Sequence, residues 1–142
     1  MVEPSDVLQA DALPASHRFS VAARFRSFLY AWRGLRRLVQ NEHNARLHLA
    51  VSLAVVAAGL FLKVSADDWR WLVLAMALVW LAEAFNTAIE ELCDRTEPGF
   101  DKAIGRIKDV AAGAVLIASI AAAAIGLLTL GPPLLVLLGQ GA

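Results

Sequence analysis

Apolar positions along the chain form three long runs that are separated by short polar segments. The runs cover about residues 47–64, 69–92 and 110–130. A bilayer's hydrocarbon core requires about 17–25 helical residues, so each run is long enough to cross it. No segment alternates apolar and polar residues strongly enough to predict a membrane β-barrel. Gly-Pro-Pro at residues 131–133 is expected to end the third helix and to leave residues 134–142 as a C-terminal tail.

A different pattern precedes the first run. Between residues 19 and 39, aromatic and aliphatic residues recur every three or four positions, with arginines between them. This spacing predicts an amphipathic helix that lies in the membrane interface, and a partner-binding helix is the less favoured alternative beside three spans. Residues 1–17 lack such a pattern, so we expect a disordered tail, and no signal peptide is recognisable there.

Composition narrows the class of protein further. Hydrophobic residues make up 58% of the 142 positions, charged residues make up 18%, and the net charge is zero. A soluble domain of this size could not bury so much apolar surface. The absence of excess positive charge disfavours nucleic-acid binding, and the single cysteine excludes a disulfide scaffold. The sequence therefore predicts an all-α integral membrane domain over residues 18–133, with three transmembrane helices and an N-terminal amphipathic surface helix.

Basic residues are distributed unevenly around the three runs. Of 13 lysines and arginines, seven lie before or at the start of the first run, four lie between the second and third runs, and two lie between the first and second. Because positive charge accumulates on the cytoplasmic side, this predicts a multi-pass protein of the cytoplasmic (inner) membrane with a cytoplasmic N-terminus. The loop at residues 65–68 is then external, and Trp69 and Trp71 are expected at the outer interface.

The second run carries polar residues at helical spacing. Glu83, Asn86, Glu90 and Asp94 follow one another at steps of three, four and four, which places them on one helix face. Ionisable groups in hydrocarbon cost several kcal/mol unless they face a partner or a cavity. We therefore expect this stripe to face the interior of the helix bundle, with Glu83 deepest and with Glu91 off the stripe.

The residue types near this stripe suit phosphoryl transfer, which requires positioning, a metal ion and charge neutralisation. Glu42 and Glu90 offer the hard oxygen ligands that Mg²⁺ prefers. Lys108 supplies a positive charge for a phosphate, and we expect it at a helix N-terminus, where the backbone field adds to that charge. An acidic side chain in apolar surroundings, such as Glu83, suits the role of general base.

Each of these residues also has a structural explanation. Asn86 alone is typical of interhelical hydrogen bonding, and Arg46 and Lys108 alone are typical of positively charged anchors. No second histidine or cysteine near His48 completes a zinc site, and no glycine-rich nucleotide-binding motif is present. The residues by themselves leave open a phosphoryl-transfer enzyme, a proton-coupled transporter that uses the buried carboxylates, and a non-catalytic assembly subunit.

Three segments resemble a known family. The string EAFNTAIEELCD at residues 83–94 is similar to the E-x-x-N-[ST]-A-I-E-x-x-x-D signature of the prokaryotic diacylglycerol kinase and undecaprenol kinase family. GRIKDVAAGAVLI at residues 105–117 resembles the family's K-D-x-x-[AS]-A-A-V-like segment. YAWRGL at residues 30–35 and NEHNAR at residues 41–46 resemble its surface helix and first acidic position. The order and spacing of these segments match across about residues 24–130.

The resemblance implies a small homotrimeric membrane kinase with active sites shared between protomers, which uses Mg-ATP to phosphorylate a lipid hydroxyl. By position it implies that Glu83 is the catalytic base and that Glu42 and Glu90 are the Mg²⁺ ligands. The other implied contacts are Lys108, Asp109, Asn86, Asp94, Tyr30 and Arg26 with the nucleotide, and Asn44, Arg46 and His48 with the lipid.

One position bears on the choice of lipid. Enterobacterial-type diacylglycerol kinases have an acidic residue two positions after the arginine, whereas this chain has His48 there. The N-x-R-x-H form at residues 44–48, together with Thr87 and the Asp-Asp-Trp loop, is more similar to the undecaprenol kinase branch. The resemblance therefore favours undecaprenol over diacylglycerol as the acceptor.

Overall fold

The structure, a computed structural model, describes residues 21–139, and this part of the chain consists of four helices with short connections. The helices are α1 (Val21–Asn41), α2 (His43–Phe61), α3 (Ala66–Thr96) and α4 (Lys102–Gly139). Of these, α2, α3 and α4 are long and apolar enough to cross a membrane. The predicted all-α fold with three spans is confirmed. The expected N-terminal tail at residues 1–17 lies outside the described residues.

The chain forms two compact units, and the boundary between them, between Arg33 and Gly34, lies within α1. In the first unit, Phe25, Phe28 and Trp32 are all exposed. Exposed aromatic side chains at this spacing are what an interfacial helix presents when no protein covers its apolar face. The helix itself is confirmed where it is described, and its placement in a membrane interface stays a prediction.

A single residue separates α1 from α2. Glu42 has extended backbone angles, φ −94° and ψ 128°, and it is the N-cap residue of α2. Its N–H still donates to the carbonyl of Leu38 at 2.9 Å, so the backbone pairing of α1 is complete up to the break. The Glu42 side chain makes no capping hydrogen bond to α2. Its carboxylate is therefore not used to end either helix.

The connection between α2 and α3 is only four residues long, from Leu62 to Ser65. Lys63 adopts a positive φ of 52°, and the N–H of Val64 donates to the carbonyl of Gly59 at 3.1 Å, which forms a Schellman-type helix end. Ser65 then begins α3 with a capping box, in which its side chain and that of Asp68 each accept from the other's backbone N–H. The predicted loop at residues 65–68 is thus mostly the first turn of α3.

The fourth helix begins eight residues before the predicted span. The Asp101 carboxylate accepts from the N–H groups of Ala103 at 2.7 Å and Ile104 at 2.9 Å, so the helix starts at Lys102. Lys108 consequently lies in the second turn rather than at the helix N-terminus, and the expectation that the terminal field acts on it is wrong, because that field fades within the first turn. The apolar run at residues 110–130 marks only the part of α4 that can lie in hydrocarbon. The helix itself extends beyond this run at both ends.

The predicted end of the last helix at residues 131–133 is also wrong. Pro132 and Pro133 lie inside α4, which continues to Gly139. Proline removes a backbone donor and disfavours a helix in water. Within hydrocarbon, however, a chain that left the helix would expose more backbone groups without partners, so a proline-containing helix is tolerated. Residues 134–139 of the expected tail are therefore helical.

Packing is concentrated where α3 meets its neighbours, with α4 contacting α3 more extensively than α2 does. The buried apolar side chains include Leu72, Ala75 and Val79 on α3. Large apolar side chains elsewhere, such as Phe85 and Ile117, are exposed, as expected of helices whose outer faces contact lipid. The buried face of α3 is also the face that carries the polar stripe.

Substitution of Gly59 tests the close contact between α2 and α3. A Cβ at this buried glycine would lie 2.9 Å from two ring atoms of Trp69. We expect Gly59→Ala to lower the free energy of unfolding by about 1–3 kcal/mol because the indole cannot move away freely. Gly126→Ala on α4 is the control, since a Cβ there meets no atom within 4 Å and should raise stability by about 0.5–1 kcal/mol. Thermal unfolding in detergent micelles measures both, and equal effects at both sites would contradict the packing argument.

Candidate active site

The polar stripe on α3 faces the bundle, as the spacing predicted. The exposed fraction is 1% for Glu83, 6% for Asn86 and 9% for Thr87. Glu90 is half-buried and Asp94 is exposed, so the stripe emerges from the protein toward the C-terminal end of α3. Glu91, which lies off the stripe, is exposed.

Glu83 meets a histidine from the neighbouring helix. The Nε2 atom of His48, on α2, lies 3.7 Å from the Oε2 atom of Glu83. This distance permits an ion pair when the imidazole is protonated, but it exceeds that of a hydrogen bond. Among the described residues, Glu83 Oε2 has no hydrogen-bond partner, although it is fully buried. A buried carboxylate oxygen without a donor is rare in proteins and is typical of functional sites.

Besides His48, two carboxylates act electrostatically on Glu83. They belong to Glu42, the N-cap residue of α2, and to Glu90 on α3. Three carboxylates from separate parts of the chain are therefore gathered in one region. Arg46, one turn after Glu42, donates from Nε to the Glu42 backbone carbonyl at 3.3 Å, which leaves the Glu42 carboxylate out of that contact.

Asn86 connects the buried and the half-buried carboxylates along α3. Its Nδ2 donates to Oε1 of Glu90 at 3.1 Å, which fixes the side-chain orientation of both residues. Its Oδ1 atom is buried and accepts no hydrogen bond from the described part of the chain. The stripe thus holds two buried oxygen atoms that lack a partner, one on Glu83 and one on Asn86.

The exposed end of the stripe is paired with α4. Nζ of Lys108 donates to Oδ1 of Asp94 at 2.5 Å, and Glu90 also acts electrostatically on Lys108. Because α3 and α4 are antiparallel, this pair fixes their relative register. Polar side chains thus follow one another along this face, from His48 and Glu83 past Asn86 and Glu90 to the Lys108–Asp94 pair, although not every neighbouring pair is hydrogen-bonded.

The remaining predicted contact residues are placed less specifically. Asn44, Arg46 and Asp109 are exposed at the same end of the bundle, where α2 and α4 begin. Arg26 and Tyr30 belong to the first compact unit, in which the guanidinium of Arg33 lies 5.9 Å from the centre of the Tyr30 ring. Their predicted roles toward nucleotide or lipid stay predictions.

The carboxylates of Glu42 and of the stripe are candidate ligands for a metal ion. No group of three or more His, Cys, Asp or Glu side chains within residues 21–139 is arranged to hold a metal ion. Magnesium commonly takes only one or two protein carboxylates and completes its shell with water and phosphate oxygens. The donor set of Glu42 and Glu90 fits that pattern, and their assignment as ligands stays a prediction.

One interhelical hydrogen bond was not anticipated from the sequence. Nε1 of Trp80 donates to Oγ of Ser52 at 3.2 Å and ties α3 to α2 one turn below His48. A buried indole N–H requires an acceptor, and Ser52 lies four residues after His48 on the same face of its helix. These two signals mark Ser52 as a possible acceptor, and the relative rotation of α2 and α3 decides which tryptophan reaches it.

Replacement of the buried carboxylate should stabilise the protein, whereas most substitutions at buried positions destabilise it. We expect Glu83→Gln to raise the free energy of unfolding by about 1 kcal/mol, because a neutral amide avoids the cost of a buried charge and can donate to His48. Leu72→Ala, at an equally buried apolar site, should instead lower it by about 2–5 kcal/mol. Thermal unfolding in micelles compares the two, and destabilisation by Glu83→Gln would show that the carboxylate is paired.

Comparisons with known proteins show the family to which the chain belongs. The family model for prokaryotic diacylglycerol kinase matches residues 29–130. The chain is 40% identical to a diacylglycerol kinase of Synechocystis sp. over 79% of this chain and 65% of that protein. It is 32% identical to the undecaprenol kinase of Bacillus subtilis over 83% of this chain and 96% of that protein. It is 42% identical to the diacylglycerol kinase of Escherichia coli over 66% of this chain and 76% of that protein. The chain belongs to the prokaryotic diacylglycerol kinase family of membrane lipid kinases.

Proposed function

We propose that this protein transfers the γ-phosphate of Mg-ATP to the hydroxyl group of a membrane lipid, with undecaprenol favoured over diacylglycerol. The observation that carries the proposal is the buried Oε2 atom of Glu83, which lacks a hydrogen-bond donor and begins a series of polar groups that ends at Lys108. An acceptor hydroxyl is the donor that this oxygen lacks. A triphosphate is the anion that the lysine end suits.

Glu83 acts on the acceptor. Its carboxylate takes the hydroxyl proton while the acceptor oxygen forms a bond to the γ-phosphorus. The bond between the γ-phosphorus and the bridging oxygen breaks, and ADP leaves with that electron pair. Burial among apolar side chains excludes water, which would otherwise compete with the lipid as acceptor.

The nucleotide binds at the exposed end of the stripe. Lys108 neutralises phosphate charge and is held in position by Asp94, while Asn86 orients Glu90 through its amide. Glu42 and Glu90 would hold Mg²⁺, which when bound offsets the charge on the phosphate oxygens. Asp109, Arg26 and Tyr30 complete the nucleotide contacts in this proposal.

The choice of lipid rests on His48 and its surroundings. The N-x-R-x-H form at residues 44–48 places a histidine 3.7 Å from the catalytic carboxylate. The match to the Bacillus subtilis undecaprenol kinase extends over 96% of that protein. Asn44 and Arg46, exposed on the first turns of α2, would contact the lipid near its polar end.

The proposal includes a homotrimer in the cytoplasmic (inner) membrane, with the N-terminus in the cytoplasm. Eleven of the 13 basic residues lie before the first span or between the second and third, which supports this orientation. Exposed apolar side chains on all three membrane helices leave surface available for contacts between protomers. Chemical cross-linking in micelles, with mass determination, tests the trimer.

Loss of activity without loss of fold tests the role of Glu83. Glu83→Gln should reduce phosphate transfer from labelled ATP to undecaprenol or diacylglycerol by at least about 10³-fold, since the general base is removed. Thermal unfolding of the same preparation shows whether the variant is folded. Normal turnover in the folded variant would remove Glu83 from the mechanism, and transfer to no lipid alcohol by the unmodified protein would contradict lipid kinase activity.

Neighbouring glutamates provide a matched test of metal binding. Glu90→Gln should raise the Mg²⁺ concentration required for half-maximal activity by about tenfold or more, because a carboxylate ligand becomes neutral. Glu91→Gln removes the same charge from the adjacent exposed position and should leave that concentration within about twofold. Equal responses of the two variants in a magnesium titration would contradict the assignment of Glu90.

A further inference from the structure

The proposed reaction leaves a proton on Glu83. When an alcohol becomes a phosphate ester, its hydroxyl proton passes to the general base, and the base must lose that proton before it can act again. The side chain of Glu83 is only 2% exposed, and its Oε2 atom has no hydrogen-bond partner among the described residues. Direct return of the proton to water is therefore blocked, and a second group is needed to carry it away.

The polar stripe on α3 does not provide that route. Asn86 is the next residue of the stripe toward its exposed end, and its Nδ2 donates to Oε1 of Glu90. An amide has no ionisable proton, so it cannot take a proton from one carboxylate and pass it to the next. Asp94, the exposed carboxylate of the stripe, lies eleven residues beyond Glu83, which corresponds to about 16 Å along the helix.

The two other carboxylates near Glu83 have another role in the proposed function. Glu42 and Glu90 act electrostatically on Glu83, and both are proposed as Mg²⁺ ligands. A metal ligand stays deprotonated while the metal is bound, so neither is free to hold the proton during turnover. The helices α2, α3 and α4 together line an apolar pocket beside His48, and the polar side chain that α4 adds to it is Ser119, which does not titrate.

The position of His48 suits a proton carrier. Its Nε2 atom lies 3.7 Å from Oε2 of Glu83, a gap too short for an intervening water molecule, and closure by about 1 Å gives a direct hydrogen bond. The imidazole is 16% exposed, against 2% for the Glu83 side chain, so it lies nearer the surface of the bundle. One turn further along α2, the hydrogen bond from Trp80 to Ser52 holds the two helices together beside this pair.

His48 also has a short path to the polar end of the bundle. It lies five residues after His43, the first residue of α2, which corresponds to about 7.5 Å along the helix. The intervening Asn44 and Arg46 are exposed. Because an imidazole gains and loses a proton readily near neutral pH, a histidine at this position can exchange protons with both the buried carboxylate and water.

We propose that His48 takes the proton from Glu83 after each phosphate transfer and releases it to water. The proposal rests on the proposed function, in which Glu83 is the general base. The O–H bond of the Glu83 carboxyl group breaks while an N–H bond forms at Nε2 of a neutral His48. The imidazolium then releases one proton to water, so that one proton leaves for each phosphate transferred. His48 is thus required for repeated turnover and not for the phosphate transfer itself.

Rapid-mixing kinetics separates the first turnover from later ones. The full-length protein in micelles with saturating lipid alcohol is equilibrated before labelled Mg-ATP is added. His48→Gln should phosphorylate about one lipid per protomer at a rate within about threefold of the unmodified protein, because Glu83 begins without a proton. Later turnovers should be at least about 10²-fold slower, as expected when a proton-transfer group is lost. His43→Gln, at an exposed histidine of the same helix, should change each phase by less than about twofold.

Rescue by a small proton acceptor distinguishes proton transfer from a structural role. In His48→Ala, added imidazole should raise the rate of later turnovers by about tenfold or more, and the gain should increase with the neutral fraction of the imidazole. An equal concentration of tetramethylammonium chloride controls for ionic strength and should have no effect. Slow release of the lipid product would respond to neither compound. The alanine variant also provides a second protein if His48→Gln does not fold.

Three results would overturn the role of His48. They are equal slowing of first and later turnovers by His48→Gln, unchanged later turnovers in that variant, and absence of an imidazole response in folded His48→Ala. Failure of the proposed function gives a different result. The unmodified protein then transfers label to no lipid alcohol, or Glu83→Gln retains normal turnover, and the role of His48 falls with it. Thermal unfolding of each preparation shows which variants are folded.

Discussion

The burial of one carboxylate among apolar helices is the constraint on which the structure depends. Glu83 is 1% exposed, and the imidazole of His48, the ionisable group recorded beside it, lies beyond hydrogen-bond distance. A charged group in such surroundings costs several kcal/mol unless other groups compensate it. Within the described chain, the group that comes nearest is His48, so α2 must place its polar end at the depth of Glu83 on α3. The relative depth of these two spans is therefore tied to a single side chain.

The registers of the helices agree with this requirement. Eleven residues separate Glu83 from Asp94 on α3, and eleven residues separate Lys108 from Ser119 on α4. Because Asp94 pairs with Lys108 across antiparallel helices, Ser119 lies at the depth of Glu83. His48 reaches the same depth from α2. Three helices thus change from polar to apolar character at one level.

The sequence predicted those features that depend on spacing within one helix. The stripe from Glu83 to Asp94 could be recognised because steps of three and four residues define a helix face, and burial follows from the cost of charge in hydrocarbon. Helix ends were predicted less well. Asp101 caps α4 in the polar region, so the helix begins before the apolar run. The prolines at 132–133 do not end it, because in hydrocarbon a helix satisfies more backbone groups than an irregular chain would.

Contacts between helices could not be predicted from spacing alone. The pairing of Trp80 with Ser52 depends on the relative rotation of α2 and α3, which Gly59 and Trp69 help to set by their close approach. The same holds for the apolar pocket that residues of α2, α3 and α4 line together, since its shape depends on how the three helices pack. Periodicity identifies which residues of a helix are buried, and only tertiary packing decides what they are buried against.

The two buried oxygen atoms without partners indicate what the stripe is for. A bundle selected for stability alone would place apolar side chains at positions 83 and 86, since an unsatisfied buried polar atom costs about 1–3 kcal/mol. Glu83 Oε2 and Asn86 Oδ1 instead belong to residues one turn apart on the same face of α3, which leads to the Lys108–Asp94 pair. Their missing donors must come from outside the described chain, from a ligand, water or another protomer. In the proposed reaction the hydroxyl of the lipid acceptor would supply the donor that Glu83 Oε2 lacks, so the atom that destabilises the free bundle is the one that would bind the substrate.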